Sequence, residues 1–370
     1  MNFFQLYFLT FVKLELMSLS CGIVGLPNSG KSTLFNSLLK KKIAVSANYP
    51  FTTIEPNVGI VEVPDDRLEK LKDVVEKSEG LGPNFKVIPA IVKFVDIAGL
   101  VKGAHKGEGL GNQFLSHIRE VDAIVFLLRD FENPDVAKTG ENPKEDLEVL
   151  KSELLLKDLE TIERQQETRD RRQETRNKFK SALEKLQEGI AKGVLAKDIQ
   201  LDQQEQQEAK SLSLLTSKEF LIVVNSDEDD LNKEPPINGA IRISAKLESE
   251  LADLSREEQK EYLGQLGVSE PGLNRLINTA YRTLGLCTFF TAGPKEVHAW
   301  TIQSGSLAPA AAGVIHSDFE KGFIAADVVD WEKLARAGGW QKAKSEGLIK
   351  TVGKSEQVKD GIVVEFKFSV

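Results

Sequence analysis

The sequence predicts a layered α/β domain that is interrupted by a helical segment and followed by a smaller β-rich domain. Three observations predict it. Short β-branched apolar runs, among them AIVFLLRDF at 123–131 and FLIVVNS at 220–226, are separated by helical stretches, the pattern of a parallel sheet covered on both faces. Leu147, Leu150 and Leu154, then Leu155, Leu159 and Ile162, recur at three- and four-residue steps, and the pattern resumes at Phe179, Leu183, Leu186 and Ile190, which is one helical stripe. From Leu286 onward TFFTAG, EVHAWTI, GFIAADVV and IVVEFKF read as short strands punctuated by Gly and Pro.

A chain of 370 residues has room for two or three cores, and 41% apolar with 28% charged residues fits a globular protein. The net charge of −8 excludes a global basic footprint, so any nucleic-acid contact must come from a local patch. Cys21 and Cys287 form no C-x-x-C pair, and His105, His117, His298 and His316 show no metal-ligand spacing, so neither a disulfide framework nor a zinc site is expected.

In chain order, residues 1–16 are apolar and Phe-rich, with no basic residue before Lys13 and no small-residue cleavage site. They fit neither a signal peptide nor a membrane span, and are expected to be an unstructured extension or a mis-assigned start ahead of Met17. CGIVG, LPNSGK and STLFNSLLKK then give strand, glycine loop and helix. NVGIVEV and VIPAIVKFVDIAG are the next strands, with DDRLEKLKDVVEKS helical between them, and AIVFLLRDF follows as a strand buried on both faces. Near Asn142 and Pro143 the helical stripe begins, expected to break at Gly189 and Gly193, with the sign-mixed run 163–178 as a solvated face. A helical hairpin or coiled-coil arm fits this stretch, and so does a plain helical subdomain covering part of the core. The α/β pattern returns at Phe220 and at AIRISAK, and PGLNRLINTAYRTLG closes it as a helix. The remainder is expected to hold one or two helices among its strands.

Gly25 to Ser32 match G-x-x-x-x-G-K-[ST] between a strand and a helix. In that setting loop and helix N–H groups face phosphates, Lys31 neutralises β/γ oxygens and Ser32 offers a hydroxyl to Mg²⁺. An ordinary glycine turn is the competing reading, and the strand–loop–helix context argues against it. Asp96-Ile-Ala-Gly99 ends a strand downstream, where an aspartate holds Mg²⁺ through water and Gly99 can present its N–H to a γ-phosphate. Thr52 and Thr53, in the loop between, are candidates for a first-switch hydroxyl.

GLPNSGKSTLFNSL, NYPFTTIEPNVGIV, FVDIAGLVKGAHKGEGLGNQFLSHIRE, EPGLNRLI and FFTAGPKEVHAWTI with AAGVIHSDFEKGFIAADVV together resemble the YchF family of Obg-like ATPases, from about Leu19 to Val370. The resemblance implies a Ras-like nucleotide domain (17–145 and 217–285), a helical coiled-coil insertion (146–216) and a C-terminal β-grasp TGS domain (286–370). It also implies that Asn28, Ser29, Gly30, Lys31, Ser32 and Thr33 hold the phosphates. Ser32 and Thr53 would be Mg²⁺ hydroxyls, with Asp96 behind them, and Asn28 would be the ligand of a K⁺ ion. Leu100 stands where Ras-like GTPases keep a water-orienting Gln, so hydrolysis is expected to be slow. The implied setting is the cytoplasm, with the ribosome or ribosomal RNA as partner, the TGS domain as a natural contact, and neither a membrane nor DNA involved. A GTPase of ribosome assembly and a regulatory module with incidental hydrolysis are the competing readings.

The base-reading motif is Asn225, Ser226, Asp227, Glu228 in place of Asn-Lys-x-Asp, with Ser244 and Ala245 of the next strand end beside it. An aspartate at the fourth place accepts two hydrogen bonds from guanine, and Glu228 overshoots by a methylene. Ser226 cannot lay a stem along the base as lysine does. Adenine lacks the two donors, so it loses nothing, and Asn225 is expected to meet its N6/N7 edge. ATP is therefore expected to be preferred over GTP. Catalysis is assigned to Lys31 and Gly99 without a clear general base. Phe131, Glu132 and Asn133 match a family segment that carries a histidine, but Lys138 falls near that histidine's place, and His105 is a stand-in or a surface loop residue.

Overall fold

The structure, a computed structural model, describes residues 19–45, 57–80, 85–97, 116–133, 140–172 and 177–369. The extension expected at 1–16 lies outside them. Two six-stranded sheets organise the chain. The first has the order β2 (Val58–Glu62), β4 (Ile91–Asp96), β1 (Ser20–Gly25), β5 (Ala123–Asp130), β6 (Glu219–Ser226), β7 (Ile241–Ile243). Its pairings are parallel except for β2, which runs antiparallel to β4. The apolar run of β5 is buried on both faces, as a central strand requires. Ala123, Val125 and Leu127 enter one core, and Ile124, Phe126 and Leu128 the other.

Helix α1 (Lys31–Val45) contributes Leu34, Phe35 and Leu38 to the first core. On the opposite face, Ile118 of the helical segment 116–120 packs with Leu147, Leu150 and Leu154. Those leucines belong to one long helix, α3 (Pro143–Arg172), so the division expected at 145/146 falls inside packed structure. Helix α3 therefore both covers the sheet and extends beyond it. Farther along, its Ile162 meets Phe179, Leu183, Leu186 and Ile190 of α4 (Asn177–Ala191) in a separate cluster. Asp158 pins the root of this arm, accepting from the Leu215 and Thr216 N–H groups at 2.7 and 2.8 Å and from Thr216 Oγ1 at 2.6 Å. Burial raises its carboxyl pKa, against the pull of those hydrogen bonds. Helix α4 is not broken at Gly189. It runs through to Ala191, and Ile199 packs where a Gly189 side chain would stand, 2.5 Å from an added Cβ. The turn comes at Gly193, with φ of 83°.

The second sheet has the order β11 (Lys350–Val352), β10 (Phe323–Asp330), β12 (Ile362–Phe368), β8 (Leu286–Ala292), β9 (Glu296–Gln303), β3 (Lys86–Ile88). Four short helices accompany it after β9, at Ala308–Ile315, Ser317–Lys321, Trp331–Ala337 and Trp340–Ser345, where one or two were expected. Its edge strand β3 comes from far upstream and pairs parallel to β9, Val87 opposite Val297 and Ile88 opposite His298. The segment read as one strand, VIPAIVKFVDIAG, is thus two strands on two sheets. Pro89 has no N–H for a ladder, and Pro89-Ala90 redirects the chain from β3 into β4.

Helix α2 (Asp66–Glu79) completes the junction. Its Leu68, Leu71 and Val75 lie in the same core as Phe290, Val297, Leu334 and Val363. Arg67 lies 2.7 Å from Asp65 and 2.5 Å from Asp360, with its guanidinium 5.2 Å from the centre of the Phe290 ring. One continuous apolar core therefore crosses the division expected at 285/286.

Candidate nucleotide site

The phosphate loop leaves β1 at Gly25 and enters α1 at Lys31. Asn28 and Gly30 both have positive φ, 64° and 88°, which folds the loop back on the helix N-terminus. A Cβ on Gly30 would lie 2.2 Å from Asn225 Nδ2, so this glycine is required by contact as well as by backbone. The first turn of α1 holds no acidic residue, which leaves its positive end uncompensated for an anion.

Lys31 Nζ is ion-paired with Asp96 Oδ1, both side chains being largely buried, at 13% and 18% exposure. Asp96 ends β4, and its own N–H donates to the Asn57 carbonyl at 2.8 Å. The two charges expected to act on phosphate and on metal thus face each other at the C-terminal end of the sheet. Ser32 and Thr33 are exposed on the first turn of α1. Ser29 turns its side chain away from the loop's outer face. Its hydroxyl is buried without a hydrogen-bond partner and its N–H donates to the Leu26 carbonyl at 3.2 Å, so the side chain is turned inward.

At the base-reading end each side chain already has a protein partner. Asn225 is 4% exposed; its Nδ2 donates to the Ser29 carbonyl at 2.9 Å, and its Oδ1 accepts from the Ala245 N–H at 2.9 Å. It is a strut between the phosphate loop and helix α6 (Ala245–Leu251), not simply a reader of the base edge. Ser226 is buried and donates to the Ile243 carbonyl at 3.3 Å. The Ser244 hydroxyl caps α6, accepting from the Leu247 N–H at 3.4 Å. Glu228 accepts a hydrogen bond from Tyr262, on helix α7 (Arg256–Gln265), at 3.2 Å. Sequence reasoning missed Tyr262 because no motif joins it to Glu228, 34 positions away.

Glu132 N–H donates to Asp227 Oδ2 at 3.1 Å, tying the turn after β5 to the base motif. Thr52, Thr53, Gly99, Leu100, His105 and Lys138 lie outside the described residues. Among the described residues no group of three or more His, Cys, Asp or Glu side chains is arranged to hold a metal ion by itself. The hard oxygen donors are the Ser32 hydroxyl and the Asp96 carboxylate, a set that fits Mg²⁺ held jointly with polyphosphate.

Fold and loop together define a P-loop nucleotide-binding domain of the GTPase type. Residues 20–163 match the family model MMR_HSR1, described as a 50S ribosome-binding GTPase, and residues 286–369 match YchF-GTPase_C, described as a protein of unknown function (DUF933). The chain belongs to the YchF family. It is 44% identical over 375 residues to the ribosome-binding ATPase YchF of Bacillus subtilis strain 168, covering 96% of this chain and 100% of that protein. It is 43% identical over 371 residues to the protein of the same name from Escherichia coli O157:H7, with 96% and 100% covered. The solved structure of the Schizosaccharomyces pombe YchF GTPase matches with a TM-score of 0.81 at 32% identity, covering 95% of this chain and 98% of that one. The resemblance read from the motifs therefore holds across nearly the whole chain.

Proposed function

We propose that this chain is a Mg²⁺-dependent, slowly hydrolysing ATPase that works as a cytoplasmic switch with the ribosome. The observation that carries the nucleotide choice is the base-reading end. Ser226 is buried with its hydroxyl on the Ile243 carbonyl and has no stem to lay along a base, and Glu228 replaces the aspartate that forks to guanine. Asn225 has its carbonyl engaged by Ala245 and one amide N–H engaged by Ser29, which leaves its second N–H as the donor for a purine ring nitrogen. Adenine and guanine share that acceptor, so discrimination falls to Glu228.

At the other end Lys31 would exchange Asp96 for the β/γ oxygens when a nucleotide enters, which would leave the Asp96 carboxylate free to act as a hard oxygen donor. Ser32 and Asp96, joined by Thr53 from outside the described residues, are the residues to hold Mg²⁺, which neutralises phosphate charge when bound. Asn28, exposed on the loop, is the residue offered to K⁺. Leu100 cannot orient a water, and a lysine at 138 is a poor base near neutral pH because an unperturbed lysine titrates at about 10.4, so turnover is slow. The ribosome enters from the names of the bacterial relatives. No helix among the described residues is long and apolar enough to cross a membrane.

Calorimetric titration with Mg-ATP and Mg-GTP, followed by turnover with and without ribosomes, tests this reading. ATP is expected to bind more tightly by about 1–3 kcal/mol, the scale of a lost hydrogen-bonding fork. Equal or tighter GTP binding overturns the nucleotide assignment, and turnover indifferent to ribosomes removes the partner.

A further inference from the structure

Glu228 is not held by its own motif alone. The Tyr262 hydroxyl reaches its Oε2 at 3.2 Å, and the helix that carries Tyr262 is fixed to the base-reading turn. Leu263 of α7 packs in one cluster with Leu231, Leu247 and Leu251, and Asn232 Nδ2 donates to the Leu266 carbonyl at 2.6 Å. Ser255 and Glu258 form a reciprocal capping box at the helix start. The hydroxyl is thus delivered by a braced helix, while the ring itself stays 37% exposed at the surface.

Guanine recognition by a carboxylate uses both oxygens at once, one on the ring N–H and one on the exocyclic amine. The Tyr262 bond takes one of the two lone pairs of Oε2, weakens that oxygen as a further acceptor and fixes the plane of the carboxylate, so a guanine fork has to form against that orientation. Adenine has an acceptor where guanine has the ring N–H, and it has no amine at that edge, so the same arrangement takes nothing from it.

We propose that Tyr262 is a specificity-determining positioning residue of the nucleotide site, orienting the Glu228 carboxylate and weakening Oε2 as an acceptor, which disfavours guanine and leaves adenine unaffected. This rests on the reading that ATP is the preferred nucleotide. The Glu228 charge and the hydrogen bond to it both raise the Tyr262 phenol above its ordinary value, with a smaller push from Glu250, as expected of a hydroxyl that donates to a carboxylate.

The test uses the full chain and measures Mg-ATP and Mg-GTP dissociation constants for the parent, Tyr262→Phe, Glu228→Gln and the double variant. Tyr262→Phe keeps the ring and removes the donor. It is expected to tighten GTP binding about three- to fivefold, the scale of one exposed hydrogen bond to a charge, with ATP binding and the melting temperature unchanged. In the Glu228→Gln background the same change is expected to do nothing. An ATP-preferring parent whose preference is untouched by Tyr262→Phe overturns the role of Tyr262 and leaves the ATP reading standing. A parent without ATP preference overturns both, and equal weakening of both nucleotides reduces Tyr262 to a structural part. As an independent readout, ¹³C-tyrosine NMR, with the Tyr262 signal identified by its absence in Tyr262→Phe, is expected to show a phenol titrating above about 10 that falls back in Glu228→Gln. An ordinary titration in the parent overturns the hydrogen bond itself.

Discussion

The two ends of the nucleotide site are prepared in opposite ways. At the phosphate end the working parts are a backbone turn, a helix N-terminus and two opposite charges, Lys31 and Asp96, that neutralise each other. At the base end, Asn225, Ser226, Ser244, Ala245 and Glu228 are each bonded to another part of the protein. On the function proposed above, phosphate binding is expected to require an exchange of partners, and base choice to depend on which groups the protein already holds. Affinity and specificity should separate under mutation.

The largest effect should come from the phosphate end. Lys31→Ala is expected to weaken ATP and GTP alike by about 100-fold or more, because a charge-assisted contact to phosphate is lost for either base. Fluorescent-nucleotide titration measures this, and a loss confined to one nucleotide would break the separation.

Asn225→Ala sits between the ends and should sharpen the comparison. It leaves the buried Ser29 carbonyl and Ala245 N–H without their partner, at about 1–3 kcal/mol of stability for each unsatisfied group. Thermal unfolding should show that loss, and binding of both nucleotides should weaken because the phosphate loop loses its tie to α6. If stability held and only the ATP/GTP ratio moved, Asn225 would be a base reader and not a strut.

The smallest effect belongs to the base end. Ser226→Lys with Glu228→Asp should shift relative affinity toward GTP by about 1–3 kcal/mol without moving overall phosphate affinity. Competition titration checks it, and a shift toward ATP would reverse the assignment.

The phosphate end was legible because its strand, loop and helix are contiguous, and each residue acts through a property of its type: Gly30 through φ, Lys31 through charge. The base end was legible only as a list of positions. Asn225 was read as facing the base, but its bonds to Ser29 and Ala245 depend on packing between segments far apart in the chain. The motif places Ser29 in the loop but does not show that its hydroxyl is turned inward and buried. The same limit applied to the fold. The apolar run 87–96 gave no sign of which sheet each half would join, and Pro89 was the one available mark of a break. The stripe from Leu147 was correctly seen as helical, but its periodicity is the same where α3 lies on the sheet and where it meets α4.

Strand β3 imposes an order on biosynthesis. It is translated long before its partner β9, and the apolar face of α2 likewise precedes Phe290, Leu334 and Val363. While the chain is still being made, the first sheet can assemble, but Leu68, Leu71 and Val75 stay uncovered and Lys86–Ile88 stays unpaired. The waiting strand is poorly suited to wrong partners, since it is three residues long, begins with a lysine and is followed by Pro89. A nascent chain halted before residue 296 carries the entire phosphate loop and still lacks β9, Leu334 and Val363 for that face, so it should depend on chaperones more than the finished protein does.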